Sequence, residues 1–408
     1  MLHLRLGVLA TCVFASLASP LAAAPIALTK ADGSTFDTAG EVTGNSAGFV
    51  AGWLRLRTTP AVQIEFQARQ FSPAGAAMGK PLRFDSQPYA LFDPTVLPTG
   101  SGKVTAIWLR PGSGVFARAG NTTTGVLGPE KRLLAGAEGP AEANIDAIRL
   151  DGGKYMVLSY RFDMQPPNFN KRLAATIVNA DLSVARTAQF LPGPKAAYTA
   201  TAASDFTAAP LNGGGAVVAY RNRADGNVYV VNIGASGAVA SSARKLNVLA
   251  MPLGSGGQQA DFKVDAVRLK SGKVVVAWTR VGSTNRDDAF DVQYRLLTSA
   301  GLPTGSERRA HASSLEEQLS PDLAALPTGG FALAWTNNGG PVAGRPRSYL
   351  ARRFTDSGAA AAAAKTLYKG ERGLDSLYGE LATAGSSLLL VHSHGTVPSI
   401  LEGFRFAP

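Results

Sequence analysis

The sequence predicts an all-β protein, a seven-bladed β-propeller with four antiparallel strands per blade and a ring closed by the N-terminal strand. Three observations predict it. A motif recurs seven times at a nearly constant step. Each copy divides into four short runs rich in β-branched and aromatic residues, bounded by glycine turns. The chain of 408 residues holds 45 glycines and 24 prolines, a composition suited to many turns rather than long helices.

The repeat is clearest in Gly330-Phe331-Ala332-Leu333-Ala334-Trp335 and Gly272-Lys273-Val274-Val275-Val276-Ala277-Trp278. Gly48-Phe49-Val50-Ala51-Gly52-Trp53 and Gly102-Lys103-Val104-Thr105-Ala106-Ile107-Trp108 follow the same plan. With Tyr160, Tyr220 and His392 in the same place, the terminal positions are spaced by 55, 52, 60, 58, 57 and 57 residues. Within a unit, an apolar run such as Asp322 to Leu326 precedes the glycine turn and the run ending in the aromatic. A variable loop, an alternating strand such as Tyr349 to Phe354, a second glycine turn and a weaker strand complete it. Four-stranded units repeated in this way are the blades of a propeller. The last unit stops after its third strand, at Gly403 to Phe406, and Pro25 to Lys30 precedes the first unit. That N-terminal stretch is expected to supply the missing strand, because closure removes an exposed sheet edge. A helical solenoid is excluded by the short, Gly-bounded, Val-rich runs. The Ala359 to Ala364 stretch reads as one helical turn or a plain loop.

The pattern Leu326-Pro327-Thr328-Gly329-Gly330-Phe331 … Trp335, followed by Arg353-Phe354-Thr355-Asp356-Ser357-Gly358, resembles blade repeats of secreted and surface β-propeller proteins of bacteria. The resemblance implies architecture over most of the chain and no particular chemistry. Signatures of the sialidase Asp-box, WD40 and calcium-loop integrin types are missing.

Residues 1–24 read as a secretory signal peptide: Arg5 in a short basic start, the apolar run Leu6 to Leu17, and Ala22-Ala23-Ala24. Cleavage after Ala23 or Ala24 are the two options. A lipid on Cys12 and an uncleaved anchor are the competing readings. Residues 25–408 are then a single propeller, expected to be secreted or periplasmic and a monomer, with no membrane-inserted segment. Removal of the signal deletes the only cysteine and takes the net charge from +11 to +10. A disulfide framework, a cysteine-ligated metal and a thiol nucleophile are therefore excluded.

One polar pattern travels with the repeat. An aspartate stands near the start of the first strand: Asp93, Asp146, Asp205, Asp265 and Asp322, with Asp37 a looser match. An arginine follows the blade aromatic: Arg55, Arg110, Arg161, Arg221 and Arg280, with Asn337 and His394 in the last two units. The start of one strand lies beside the end of the next antiparallel strand. Cross-strand Asp–Arg pairs near the central channel are therefore expected, as structural pins. The arginines are also candidates for anion binding, since a guanidinium matches carboxylate, sulfate or phosphate bidentately. Surplus cations in the loops after the second strand include Arg172, Arg223 and Arg345.

The histidines outside the signal are His311, His392 and His394, and no third ligand at short spacing completes a metal site. No nucleophile elbow, P-loop or dinucleotide fingerprint is present, so no cofactor is expected and no residue is assigned as catalytic. The expected function is an exported, non-catalytic binding module that holds a protein or an acidic polymer, such as an anionic glycan, on the loop face. Nucleic acid is disfavoured by export. The alternative is a polysaccharide lyase or hydrolase acting on an acidic glycan, with Arg221 or Arg280 neutralising the substrate and Tyr220 or His394 moving the proton.

Overall fold

The computed structural model describes residues 26–29, 35–45, 48–58, 61–88, 92–100, 102–135, 145–163, 170–192, 206–222, 225–248, 263–281, 290–311, 318–337, 348–369, 375–384, 387–394 and 400–406. The signal-peptide reading therefore falls outside the described residues.

The fold is an all-β propeller with no helix among the described residues. β1 (Ile26–Ala27) comes first. The first full sheet is β2 (Thr35–Asn45), β3 (Gly48–Arg57), β4 (Gln63–Phe71) and β5 (Ala77–Gln87). The second is β6 (Phe92–Gly100), β7 (Lys103–Arg110), β8 (Gly114–Asn121) and β10 (Lys131–Ala135), with the short β9 (Val126–Leu127) also on β8. The third is β11 (Ile145–Arg149), β12 (Tyr155–Asp163), β13 (Asn170–Val178) and β14 (Val184–Phe190). The fourth is β15 (Phe206–Pro210), β16 (Ala216–Arg221), β17 (Val228–Ile233) and β18 (Arg244–Lys245). The fifth is β19 (Val264–Arg268), β20 (Val274–Val281), β21 (Phe290–Leu297) and β22 (Pro303–Arg309). The sixth is β23 (Gln318–Ala325), β24 (Phe331–Asn337), β25 (Ser348–Phe354) and β26 (Lys365–Lys369). The last is β27 (Asp375–Ala384), β28 (Ser387–His394) and β29 (Ile400–Phe406), and β1 is its fourth strand, with Ile26 opposite Gly403 and Ala27 opposite Glu402.

Every pairing among the described strands is antiparallel, and all join neighbours in the chain except β1 with β29 and β8 with β10. The first strand of each sheet packs against the first strand of the next, so these strands are innermost. Apolar clusters fill the seams between sheets. Met156 and Leu158 meet Val218 and Tyr220 between the third and fourth. Tyr294 meets Phe331, Trp335 and Phe354 between the fifth and sixth. Leu389 and Val391 of the last sheet share a cluster with Phe49, Trp53 and Phe71 of the first, and Leu28, just after β1, lies in it. The blade aromatics recur because each fills such a seam: Trp108, Trp278 and Trp335 are wholly buried.

The second glycine turn locks sheets at their outer edge. Gly358 has φ +74°, and a Cβ there would meet Leu296 Cδ1 at 2.6 Å and Arg308 Nη1 at 2.8 Å, both in the preceding sheet. Tyr294 and Arg308 of that sheet donate to the turn carbonyls of Gly358 and Ser357, each at 2.7 Å. Glycine is thus required twice, for its left-handed backbone and for close approach. The Ala359 to Ala364 stretch forms no helix; Ala360 bridges Phe354 and the rest is irregular.

Candidate functional site

Asp146 and Asp265 do not pair with the arginines of their own hairpins. The tight turn at Asp151-Gly152-Gly153 places Asp146 opposite Leu158 rather than Arg161. In the fifth sheet Asp265 faces Ala277 rather than Arg280. The carboxylates instead reach across the seams. Asp146 accepts from the backbone N–H of Ala208 at 3.2 Å. Asp265 accepts from Leu323 N–H at 2.6 Å, and Asp322 accepts from Leu381 N–H. Each clasp spans about one repeat in sequence, which fixes the register of one innermost strand against the next. Glu41 does the same toward Val96, aided by the Thr95 hydroxyl. The equivalent positions are thus Glu41, Thr95, Asp146, Thr207, Asp265, Asp322 and Glu380. The side chain of Asp93 and all of Asp205 lie outside the described residues.

These groups share one axial space, and they act on each other. Burial, with the charges of Asp146 and Glu380, pushes the Glu41 carboxyl well above its ordinary range. Burial and then Asp265 push Asp146 up to about 6. Burial raises Asp322 as well, with Glu380 and Asp265 adding and Lys263 opposing. Lys263 donates to Glu380 at 3.0 Å and lies 3.7 Å from Asp322. Burial works against its charge, but Asp322, Glu380 and Asp265 together hold the ammonium protonated. Among the described residues no three of these carboxylates converge as a metal site.

The arginines divide by what they spend their donors on. Arg55 makes two 2.7 Å bonds to the wholly buried Asp37, directly opposite it. This is the one described hairpin in which the expected cross-strand pair forms, and it uses the looser match. Arg110 donates to Asp85 of the preceding sheet at 2.6 Å and, through both terminal nitrogens, to Glu130 at 2.9 and 2.6 Å. It also lies over the Phe116 ring at 4.2 Å. Arg161 stands opposite Arg172, which donates to the Leu191 carbonyl at 3.2 Å and lies over Phe190. Arg221 is buried at the end of β16. Tyr220 donates its hydroxyl to the Pro192 carbonyl at 2.7 Å, which ties up the group assigned above to proton movement. Arg223 and Arg345 lie outside the described residues, as does the side chain of His394.

Arg280 differs from Arg55 and Arg110. It stands opposite Asp291 in register, and that carboxylate takes Arg309 at 3.0 Å and His311 Nε2 at 3.2 Å. Burial opposes ionisation of Asp291, but His311, Arg309 and Arg280 hold it below the usual carboxylate range. Sequence reasoning missed Glu41, Glu380, Lys263 and the Asp291–His311 pair. The first two recur at the repeat step and were detectable once Glu was allowed in place of Asp. Lys263 stands two residues before Asp265, a spacing that puts both on one strand face.

No family model and no curated protein matches the chain. Solved structures do match it. One is a polysaccharide lyase of family PL25, an ulvan lyase bound to -[GlcA(1-4)Rha3S]-, at TM-score 0.52 and 9% identity, covering 91% of this chain and 94% of the lyase. A protein of unknown function from Dyadobacter fermentans matches at TM-score 0.50 and 10% identity, covering 94% and 98%. A puromycin hydrolase matches at TM-score 0.52 and 15% identity over 90% of this chain, which spans 51% of that enzyme. At these identities the likeness establishes the propeller fold and nothing finer.

Proposed function

We propose that this chain is an exported propeller that binds an acidic glycan on the face where the second strands of its sheets end. In this reading the seven sheets are the blades of one ring, latched where β1 joins β29. The observation that carries it is where the carboxylates go. Among the described residues Asp37, Glu65, Asp85, Asp291 and Asp322 are buried, whereas Arg221 is the one buried lysine or arginine. Those acids serve the scaffold. Burial pushes the Glu41 and Asp322 carboxyls toward the neutral acid, and the chain without its expected signal peptide carries a formal +10. A basic exterior on a rigid scaffold attracts polyanions at long range. The ulvan lyase adds support, since its fold is shared over nearly the whole chain and it holds a sulfated, glucuronate-containing glycan.

A second reading, an eliminating lyase, is favoured by His311 on Asp291 beside Arg280. It ranks below binding because His311 is only 8% exposed and its Nε2 already faces Asp291. The experiment is titration of the full chain with chondroitin sulfate and with polygalacturonate at rising salt, while ultraviolet absorbance follows any unsaturated uronate. Binding that weakens with salt, without product, supports the module. Product formation moves the assignment to the lyase. Absence of binding to both polymers at low salt refutes the proposal.

A further inference from the structure

The ends of β20, β21 and β22 gather three basic residues around one carboxylate, with Arg309 and His311 in direct contact with it. Asp291 stands near the start of β21 and is buried. Arg280 comes from the cross-strand position on β20, Arg309 from the end of β22, and His311 from just beyond it. Donor accounting sets this cluster apart. Arg110 uses all three of its guanidinium nitrogens on carboxylates, and Arg55 uses two. Arg309 meets Asp291 through one nitrogen, and its side chain is 40% exposed. The Nε of Arg280 finds no acceptor among the described residues. A guanidinium carries five N–H donors in a fixed fork. Asp291 therefore orients the Arg309 fork without filling it, and Arg280 stands across the strand pair from Asp291 with its Nε unspent.

We propose that Arg280 and Arg309 form the subsite for a single carboxylate or sulfate group of the glycan, at the loop end of the fifth sheet. This rests on the glycan reading above. Asp291 positions the Arg309 guanidinium and stands across the strand pair from Arg280, and His311 holds Asp291 from its other oxygen. Among the described residues at this strand end the basic groups outnumber the acid, so one further oxyanion completes their charge balance rather than overturning it. A planar or tetrahedral oxyanion bridging the two forks receives the charge-assisted bonds that guanidinium geometry favours. The same argument excludes Arg55 and Arg110 as ligand-binding groups, because releasing them would strand buried carboxylates.

The test is calorimetric binding of chondroitin sulfate to the full chain and to Arg309→Gln, Arg280→Gln and Arg83→Gln. Arg83 is the charge-matched control, since its side chain is 62% exposed and lies on β5 of the first sheet. Losing one bidentate contact should weaken binding about tenfold in Arg309→Gln and at least as much in Arg280→Gln, while Arg83→Gln changes it about twofold or less. The imidazole resonances of His311 should shift on saturation of the wild type. Equal losses in Arg309→Gln and Arg83→Gln, with wild-type binding intact, would overturn the subsite and leave the glycan reading standing. No binding by the wild type would overturn both. Arg309 is exposed enough that its variant folds and keeps the test decisive if Arg280→Gln does not.

Discussion

Asp146→Asn should make the protein more stable at neutral pH. Asp146 is held in the axial space with Thr207 bonded to it and with Glu41 and Asp265 nearby. Its carboxyl titrates at about 6 in the folded chain against 3.8 as its ordinary value. The folded chain therefore binds this proton more tightly than the unfolded chain does. The stabilisation is fully present below pH 3.8 and is lost as pH rises through about 6. That difference corresponds to about 3 kcal/mol, less any relaxation of the site. Asparagine keeps an oxygen for Ala208 N–H and removes the charge. The assay is urea unfolding of both chains at a series of pH values from 4 to 7. The variant should match the wild type near pH 4, exceed it by up to about 3 kcal/mol near pH 7, and show a flatter profile between. Parallel profiles, or a variant weaker by the same amount at both ends, would refute the reasoning. Glu41 and Asp322 shift in the same direction and leave a residual slope in the variant.

Three further outcomes follow from the same contacts. Lys263→Met removes the cation between Asp322 and Glu380, so it should destabilise the chain more at pH 7 than at pH 5, read by thermal melts at both pH values. Asp37→Ala strands Arg55 beside a buried site and should cost about 3–5 kcal/mol in denaturant unfolding, with much of that recovered in the Asp37→Ala/Arg55→Met double variant. Gly358→Ala adds a Cβ against Leu296 and Arg308 at a positive φ and should cost about 1–3 kcal/mol, measured as a lowered unfolding midpoint.

The architecture was legible because its signals are local. Glycine turns need positive φ, and each blade aromatic must fill a seam, so both recur at the repeat step in plain view. The apolar runs gave the strands for the same reason. The polar pattern was legible only as a pattern. Asp146 and Asp265 were identified, but their partners follow from hairpin register, and a shift of three residues moved them from Arg161 and Arg280 to the next sheet. In the first sheet Asp37 drew attention, although Glu41 is the residue that clasps Val96. Contacts between sheets leave the weakest trace. Nothing near Arg110 in sequence points to Asp85, because the two meet only when adjacent sheets pack. His311 looked isolated because Asp291 reaches it from a neighbouring strand pair.

Acidic glycans held on the loop face, as proposed, would shield the backbone there from solvent. Hydrogen exchange of the full chain with and without saturating chondroitin sulfate tests this most directly. Protection is expected at the loop-side ends of the second and third strands, strongest around Arg280 and Arg309. Protection confined to the glycine-turn face around Gly272 and Gly358, or none at concentrations that saturate binding, would contradict it.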